Sequence, residues 1–540
     1  MTLKLSVIAF SAVLLACNGN DSEPEVPDGR VALVYVKQAT TAAGGTCVDP
    51  AVYGALPDDG EDDRAPVQQA IDDLHNGGTI CFRSGTYQFT RLGGTTQDRS
   101  VSLLIRGAKN IHLTGAGRST VLEMNGDGES SDWYLIHIRA APDSTPVTDI
   151  EISNLTLSGA HAANTEEQTH LVGIGAVQNI SIGTVEGVSI HDVYFYHPFR
   201  KKLIGDSWVN EQGGDCIRIL GAYAPNRLNA QGQPDPLDKR SRKILISHNQ
   251  FIECDRSSIG VQRGVFEVII DGNLFVDVGD QHLDMEPTGL GGIGQFVISN
   301  NIFMGGRQGD YHVTIVGNDE ANPGEDIVFA DNVLVGRGLK LMNVERVHVN
   351  GNFITYVSKS GSGSIDALKY IDELSIANNN IHRLAGSIQG PVIRFVPHNS
   401  GRPGRSVIRG NQVYQEGNGN VIELDSVQNV SVSDNDIYYS GTSETVYAGV
   451  RVVTTRRPCT GLFINHNRMF GKLLTGIQLS AVTANPFGTL TLIGNATEGA
   501  QIGVKCSGTF TKPIVHSSYN YDGVVDAMVC PHVTLVQQRP

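Results

Sequence analysis

The sequence predicts an all-β solenoid, in which short strands stack coil on coil as a parallel β-helix. The phrase I-x-x-N-x-F, with apolar first and last positions, recurs from about residue 244 onward. Its Asn recurs every 20 residues (Asn332 to Asn352) to 32 residues (Asn379 to Asn411), a period typical of solenoids. Apolar residues alternate between these phrases, and no stretch of useful length has helical periodicity. Since one repeat buries too little apolar surface by itself, the coils must stack, with strands about 4.8 Å apart.

The Asn of this phrase forms a column along the predicted solenoid. Asn tolerates the αL conformation at a tight turn, and its amide can bond the Asn of the next coil, so the column is interpreted as structural. Two earlier lines, from Ile152 and Ile190, have the same apolar spacing with Leu or Val in the Asn position, which extends the solenoid back to about residue 100. The column comprises Asn249, Asn273, Asn301, Asn332, Asn352, Asn379, Asn411, Asn435, Asn467 and Asn495.

The first residues have the pattern of an export signal. One Lys precedes an apolar run too short for a stable bilayer anchor, and "LLAC" ends in Cys17. The stretch resembles a bacterial lipobox, so residues 1–17 are predicted to be a lipoprotein-type signal peptide with lipidation at Cys17, and residues 18–30 a flexible acidic tether. A plain signal peptide with a nearby Cys is the alternative. We expect a protein exported from a bacterial cell, as an outer-membrane or cell-surface lipoprotein, or otherwise secreted or periplasmic.

The segment from 31 to 100 is predicted to cap the solenoid, whose coils fill residues 101–535. An Asp-rich turn precedes an amphipathic helix with Val67, Ala70, Ile71 and Leu74 on one face, followed by Gly-Gly and a strand. This segment closely resembles the N-terminal segment of the pectate-lyase-like superfamily of right-handed β-helices, in which a helix covers the open end of the first coil. Asp62 and Asp63 are interpreted as N-caps of that helix. The resemblance implies fold more than reaction, because the superfamily holds lyases, hydrolases, epimerases and phage tailspikes.

Composition excludes some partners. The formal net charge of −15 repels phosphate backbones, so no nucleic-acid partner is expected, and we expect a monomer. Seven Cys remain after Cys17, so at least one thiol is unpaired if disulfides form. Cys506 and Cys530 lie about one repeat apart, and the pair Cys47 and Cys81 is placed to close the cap.

The line "GDQHLDMEP" from Gly279 to Pro287 interrupts the apolar pattern, and "GDYHVTIVG" from Gly309 nearly repeats it. Alternation predicts that Leu283 and Met285 point inward, while His282, Asp284 and Glu286 point out. Aligning successive coils gives three outward columns. The first column comprises Cys216, Ser258, His282, His312 and Gly338. The second comprises Arg218, Gly260, Asp284, Thr314 and Lys340, and the third comprises Leu220, Gln262, Glu286, Val316 and Met342. Asp280 and Asp310 stand two residues before His282 and His312, in matching positions.

This density of acids, His and bases predicts a site on coils 213–343, because we expect later coils to carry blander outward residues. A solvated face of paired charges is the alternative. Two long insertions flank the Arg218 strand and are expected to wall a groove, with Trp208 available to stack on a sugar or to anchor a loop. The predicted catalytic residues are Asp280, His282, Asp284 and Glu286; the predicted substrate-binding residues are Asp215, Arg218, Arg256, Gln262, Arg263, His312, Lys340 and Trp208.

Three functions fit these residues. Hydrolysis of a glycosidic bond needs two carboxyl groups roughly 5 to 9 Å apart, and Asp284 and Glu286 satisfy this with no cofactor. The alternative is β-elimination or C5 epimerisation of a uronic-acid polymer, with His282 as base, cations on the substrate carboxylate and calcium as a cofactor if a lyase. The D-x-H of Asp280 to His282 is similar to the D-P-H-D line of alginate C5-epimerases, with Gln281 in place of Pro. The third function is that of a non-catalytic carbohydrate-binding or adhesion β-helix. Independently of these functions, the two His and Asp284 are a possible metal-binding set.

Overall fold

The computed structural model describes residues 47–90, 101–125, 133–140, 146–159, 169–175, 185–196, 214–221, 241–287, 292–306, 309–357, 360–397, 405–441, 447–517 and 520–537, except 75, 387, 483, 523, 525 and 532. It also gives the backbone of two short antiparallel strands, Leu203–Ile204 and Ser207–Trp208. The predicted signal peptide, Cys17 and the acidic tether lie outside the described residues. None of the helices in these ranges is long and apolar enough to span a membrane.

The described chain winds as a parallel β-helix whose coils each place a strand in up to three sheets. All strand pairs between coils are parallel, and each sheet runs along the helix axis. This confirms the predicted fold class.

The strands of the three sheets follow in chain order. The first sheet comprises Val101–Arg106, Trp133–Arg139, Thr169–Gly175, Ile217–Leu220, Ile259–Val261, Leu283–Met285, Tyr311–Val316, Ile393–Pro397, Ile422–Asp425, Ala448–Val453, Thr475–Ser480, Ile502–Ser507 and Asp526–Val529. The second comprises Cys47–Val48, Gly78–Cys81, Lys109–Thr114, Val147–Ser153, Val185–His191, Ser241–Ser247, Val265–Asp271, Ile293–Ser299, Gly324–Ala330, Ser406–Arg409, Gln428–Ser433, Thr460–Asn465, Leu490–Ile493, Ile514–Ser517 and Leu535–Gln537. Gly338–Asn350 and Ile365–Ala377 run through both the first and second sheets. The third comprises Gly85–Phe89, Thr120–Met124, Thr156–Ser158, Tyr194–Tyr196, Gln250–Cys254, Leu274–Val278, Ile302–Met304, Val333–Gly336, Phe353–Tyr356, Asn380–Arg383, Gln412–Gln415, Asp436–Tyr439, Arg468–Gly471, Ala496–Glu498 and Asn520–Asp522.

The core is a set of apolar ladders between these sheets. The predicted inward residues of the first sheet are fully buried from Ile217 to Leu341 and pair in the predicted register. A stack of Phe rings from the third sheet faces them, with centroids 4.7 Å apart from Phe251 to Phe275 and from Phe275 to Phe303. Repeating the same apolar position on every coil therefore gives each side chain a like neighbour to pack against.

The Asn column is a continuous hydrogen-bonded ladder, as predicted. Asn411 donates its Nδ2 to Asn435 Oδ1 at 2.9 Å and to the Ile376 carbonyl, while its own Oδ1 accepts from the Asn379 side chain. The αL residue, however, is not the Asn itself but the residue before it, such as Asn378 at φ 55° or Gly410 at φ 65°. The preceding residue makes the turn, so the Asn side chain points inward. There its amide forms hydrogen bonds with backbone groups that have no backbone partner at the turn.

The N-terminal cap has the predicted helix. It spans Arg64–Asp73 and buries Val67, Ala70 and Ile71 against the core. Asp62 Oδ1 accepts from the Arg64 amide, as an N-terminal acid is expected to do. Asp63 occupies the N-cap position but makes no capping bond, because its carboxylate accepts from the amides of Leu56 and Gln88 instead. That carboxylate ties the helix to the sheets rather than capping it.

Three disulfides occur among the described residues. Cys47–Cys81 and Cys506–Cys530 are the two pairs expected from the sequence, and Cys216–Cys254 is a third. Cys459 is a buried free thiol, which agrees with the odd number of Cys after Cys17.

Candidate functional site

One outward column of the first sheet carries most of the predicted site. Strand pairing places Arg218, Gly260, Asp284, Thr314 and Lys340 side by side on five successive coils, as the alternation predicted. Their inward neighbours are buried and apolar, so these side chains can only lie on the outer face.

Asp284 is the centre of this column. Its side chain is only 4% exposed, although it faces outward, because neighbours cover it. Arg256 donates an Nη2 hydrogen bond to Asp284 Oδ2 at 3.1 Å, and Thr314 donates its hydroxyl to Oδ1 at 2.9 Å. The two carboxylate oxygens are therefore held in fixed directions, one by a cation and one by the next coil.

Glu286 and Asp280 flank Asp284 along the chain. Glu286 is exposed, and the nearby Asp284 charge and burial raise the pKa of its carboxyl, while Lys340 and Arg256 oppose that rise. Burial, followed by the Asp284 charge, raises the pKa of Asp280. Glu286 is therefore a solvent-accessible carboxyl whose proton affinity is set by a buried neighbour, a combination suited to proton transfer.

The turn that carries Asp280 is held from behind. The buried Arg337 donates from Nη1 to the Asp280 carbonyl at 2.6 Å. Gly306, at φ 113°, lies against this guanidinium, and a Cβ there would stand 2.6 Å from Arg337 Cζ. A glycine is needed at Gly306 both for its backbone conformation and for this close approach.

On the N-terminal side, Asp215 lies over the same outer face. Its carboxylate occupies the space above Gly260, where a Cβ would stand 2.6 Å from Asp215 Oδ2. Burial raises the pKa of Asp215, and the charges of Arg256 and Arg218 oppose that rise. His170 Nδ1 accepts from the Asp215 backbone amide at 2.8 Å, and its Nε2 lies 3.0 Å from Arg218 Nη1. Asp215 and Arg218 are thus brought to the site, as expected, together with a His that the sequence did not indicate.

On the C-terminal side, Tyr311 reaches across two coils. Its hydroxyl donates to Asp366, which is fully buried and is also bound by Arg394 through Nε at 2.9 Å. Burial, followed by the Asp366 charge, raises the pKa of the Tyr311 hydroxyl. Lys340 Nζ lies 6.0 Å from the centre of the Tyr311 ring. Tyr311 is therefore a protonated hydroxyl fixed beside a cation of the outer face.

His282 and His312 do not lie on that face, and the prediction that they point outward is wrong. Both are 0% exposed and stack on each other at 5.1 Å between ring centroids. Their Nε2 atoms bond the carbonyls of Met304 and Val335 in the third sheet, at 3.0 and 2.8 Å. His282 directly precedes the strand Leu283–Met285, and His312 lies at the irregularity in the pairing of Tyr311–Val316 with the next coil. Strict alternation does not set the direction of either side chain, and both rings turn inward beside the Phe stack.

Burial decides the protonation of these two His. It lowers the pKa of His282 well below its ordinary value and that of His312 to about 3, so both are neutral. A neutral, enclosed imidazole reaches no substrate, which removes His282 from the catalytic residues and His312 from the binding residues. The predicted first column fails for the same reason, since Cys216 and Ser258 are buried too, and Gly338 pairs with Tyr311 across a bulge rather than with His312.

Other predicted residues lie at the edge. Gln262 and Arg263 are half-buried and directly follow the strand beside Glu286, whose amide bonds the Val261 carbonyl. Trp208 lies in one of the two antiparallel strands, but its side chain is outside the described part of the chain.

The later coils are not bland, contrary to expectation. The same outward column continues through Asp366, Arg394, Glu423 and Arg451. Arg394 pairs with Asp366, and Arg451 bonds Glu423 at 2.9 Å. The alternation that places Lys340 outward also places these residues outward.

The described acids of the site do not form a metal-binding group. Within the described ranges, no group of three or more His, Cys, Asp or Glu is arranged to hold a metal ion. Asp284 is committed to Arg256 and Thr314, and the two inward His are committed to carbonyls. The predicted metal set of the two His and Asp284 is therefore not assembled.

No family model matches the chain. Mannuronan C5-epimerase AlgE2 of Azotobacter vinelandii is 27% identical over 257 residues, covering 42% of this chain and 24% of that protein. Mannuronan C5-epimerase AlgE6 of the same organism is 26% identical over 275 residues, covering 46% of this chain and 29% of that protein. The match thus spans about a quarter of the length of these curated relatives.

Among solved structures, the Pseudomonas phage phi297 tailspike gp61 superposes with a TM-score of 0.52 over 83% of this chain and 80% of that chain, at 11% identity. This likeness shows the parallel β-helix fold. Proteins that share this fold carry out different reactions, so the functional argument rests on the outer face of the first sheet.

Several residues of that face were missed from the sequence. Tyr134 stacks between His137 and His170, at 4.7 and 4.8 Å between ring centroids, in the space that Gly173 leaves open. These residues stand on the coils before Arg218, where no I-x-x-N-x-F phrase marked the register. Tyr311 stood within the quoted line "GDYHVTIVG" but was not assigned, because its partner Asp366 is 55 residues away.

Proposed function

We propose that this chain is an enzyme that acts on a polysaccharide, and that its reaction begins with removal of the C5 proton from a uronic-acid unit on the outer face of the first sheet. The observation that carries the proposal is the exposed Glu286 beside the buried Asp284 and its half-buried partner Arg256, with Lys340 on the same face. A base and at least two cations within one patch are what C5 deprotonation requires. The names of the curated relatives, mannuronan C5-epimerases, support the same substrate class.

In this mechanism Glu286 accepts the C5 proton. Asp284 raises the pKa of Glu286, which makes it a stronger base than an ordinary Glu. Arg256 and Lys340 neutralise the sugar carboxylate, so that the electron pair left at C5 is delocalised into it without a full dianion forming. Asp284 acts on these groups through its fixed bonds and does not itself need to touch the sugar.

Two outcomes follow from the deprotonated sugar. If a proton returns to the opposite face of C5, the product is the epimer; if the bond from C4 to its oxygen breaks, the product is an unsaturated chain end. The Tyr311 hydroxyl is the proposed donor for either step: its raised pKa keeps it protonated but makes it a weak acid, and in the free protein its proton is donated to Asp366. It stands beside Lys340, on the other side of Thr314 from Asp284.

Hydrolysis is the second candidate, and one observation favours it. Asp284 and Glu286 lie on the same face of one strand, roughly 6 to 7 Å apart between Cα atoms by strand rise. Their environments differ, since Asp284 is buried against Arg256 and Glu286 is exposed with a raised pKa. That is the asymmetry an acid and a base of a glycosidase need.

Products separate these candidates. The purified protein is incubated in D₂O with polymannuronate, polygalacturonate and a neutral glucan, and the sugars are followed by NMR, by absorbance near 232 nm and by reducing-end assay. Deuterium at C5 without shortening indicates epimerisation, and new absorbance indicates elimination. Reducing ends without absorbance indicate hydrolysis and overturn the proposal, as does a polymer that is retained but unchanged.

Variants test the residue roles. We expect Glu286→Gln to reduce turnover by about 100-fold or more, the usual effect of losing a general base. Glu267→Gln removes the same charge from Val265–Asp271, a strand of the second sheet. It serves as the matched control because Glu267 lies outside the proposed site. Equal activity of the two variants would exclude Glu286 as the base.

A further inference from the structure

The outward column that holds Asp284 continues along the first sheet with a regular charge pattern. Beyond Thr314 a cation stands on every second coil, and each coil between them carries an acid or an amide. The cations, called here the cation track, are Lys340, Arg394, Arg451 and Lys505, and the residues between them are Asp366, Glu423 and Gln478.

The spacing of the cation track is fixed by the fold. Strands of a sheet lie roughly 4.8 Å apart, so cations on alternate coils are separated by roughly 10 Å, and the track is roughly 29 Å long. Each cation lies between two inward apolar residues, as Lys340 does between Leu339 and Leu341, which are fully buried. The side chains therefore cannot turn inward and must stay on the outer face.

The track remains accessible although two of its cations are paired. Arg394 uses Nε and Nη2 for Asp366, and Arg451 uses Nη1 for Glu423, whereas a guanidinium has five N–H donors. The two Arg side chains are 28% and 35% exposed, respectively. The four cations of the track and the two acids between them carry a net charge of +2, on a chain whose formal net charge is −15.

We propose that the cation track binds the part of an anionic polysaccharide that extends beyond the catalytic groups, with the sugar chain parallel to the helix axis. In an extended polyuronate whose alternate sugars face opposite sides, carboxylates on one side recur every second sugar, a period that cations on alternate coils can meet. The inference rests on the proposed function only for the chemical class of the ligand. It predicts preference for long chains over short ones, because short chains end before the track does.

Binding measured on an inactive background separates this inference from the reaction itself. In the Asp284→Asn protein, the dissociation constants of a polyuronate of about twenty sugars and of a tetrasaccharide are compared, using fluorescently end-labelled chains. Arg451→Gln or Lys505→Gln is expected to weaken binding of the long chain roughly two- to fivefold each, the usual size of an exposed charge contact. Binding of the tetrasaccharide is expected to be unchanged, and the salt dependence of long-chain binding is expected to fall.

Arg468→Gln is the matched control. Arg468 belongs to the same coil as Arg451 but lies on the third sheet, exposed and paired with Asp436, so its loss removes the same charge from a different face. Equal weakening by the Arg468 variant, or equal weakening for both chain lengths, would overturn the track. If the unmodified protein alters no polyuronate but the long chain still binds in a track-dependent manner, the track stands and the proposed reaction falls.

Discussion

Replacing Asp284 by Asn removes the central charge of the site while keeping its shape. The Asn oxygen still accepts from the Thr314 hydroxyl, but the ion pair with Arg256 is lost. Removing one partner of a fully buried pair costs about 3 to 5 kcal/mol, whereas exposed pairs contribute about 1 kcal/mol or less. Since Arg256 is 32% exposed and Asp284 4%, we expect the lost attraction to cost about 1 to 2 kcal/mol.

Relief of repulsion opposes this cost. The Asp284 charge raises the pKa of Glu286 as the first cause, and those of Asp280 and Asp215 as lesser causes after burial. Once these acids are ionised they repel Asp284, and the substitution removes that repulsion. We therefore expect the free energy of unfolding at about pH 7 to stay within about 1 kcal/mol of the unsubstituted protein, while kcat falls roughly 100-fold or more.

The pH dependence of stability provides the sharper test. Because the folded pKa values of Glu286, Asp280 and Asp215 lie above the ordinary 4.5 and 3.8, the folded state binds more protons than the unfolded state above about pH 4. These groups therefore add stability at lower pH that is lost as pH rises through their folded pKa values. Asp284→Asn should make that loss smaller.

Urea unfolding followed by circular dichroism, at about pH 4 and about pH 7, measures both quantities. Glu267→Gln, which leaves the site intact, corrects for the rest of the chain. The reasoning would be refuted if Asp284→Asn lost more than about 3 kcal/mol at both pH values with an unchanged difference between them. That result would make Asp284 a structural anchor and not the electrostatic centre of a site.

Three further predictions address other parts of the molecule. His312→Phe keeps the ring stack but loses the bond to the Val335 carbonyl, so it should cost about 1 to 3 kcal/mol in urea unfolding and leave activity per folded molecule unchanged. Because the pKa of His312 falls from 6.5 to about 3 on folding, its contribution is present above pH 6.5 and lost as pH falls; the variant should lose less stability on acidification than the unsubstituted protein. Asn411→Ala removes the side-chain acceptor of the Asn379 backbone amide and one of the two acceptors of the Asn379 side chain, so it should lower the free energy of unfolding by about 2 to 4 kcal/mol, whereas Asn420→Ala, a control outside the ladder, should cost less. Cys459 is buried and its pKa is raised to about 12 by burial, so peptide mapping should find it alkylated by iodoacetamide only after denaturation.

The periodicity of apolar and Asn residues in the sequence predicts most of the fold. The I-x-x-N-x-F phrase predicted the stacked coils, and period-two alternation predicted which residues of the first sheet face the core. The predicted register from Ile217 to Leu341 agrees with the pairing of strands. The same alternation placed Arg218, Asp284 and Lys340 in one outward column. A strand alternates strictly, so its sequence alone assigns each side chain to a face.

Alternation failed beside the start of one strand and at a bulge in another. His282 and His312 each stand one residue before an inward Leu or Val, and alternation assigns them outward, yet both rings are buried in the core. His282 precedes its strand, and His312 lies at the irregular start of Tyr311–Val316. The αL turn was likewise assigned to the ladder Asn instead of the residue before it. Corners have no fixed period, because their backbone dihedrals differ from residue to residue.

The sequence by itself determined that this protein is a stacked β-helix with an Asn ladder, and that Asp284 and Glu286 share an outer face. Those features depend on short-range periodicity, which repeats in every coil. Only the tertiary structure decided that Asp284 is buried between Arg256 and Thr314, that Tyr311 reaches Asp366 and that His170 adjoins Asp215. Such contacts join residues 28 to 55 positions apart, and the length of each loop sets which of them meet.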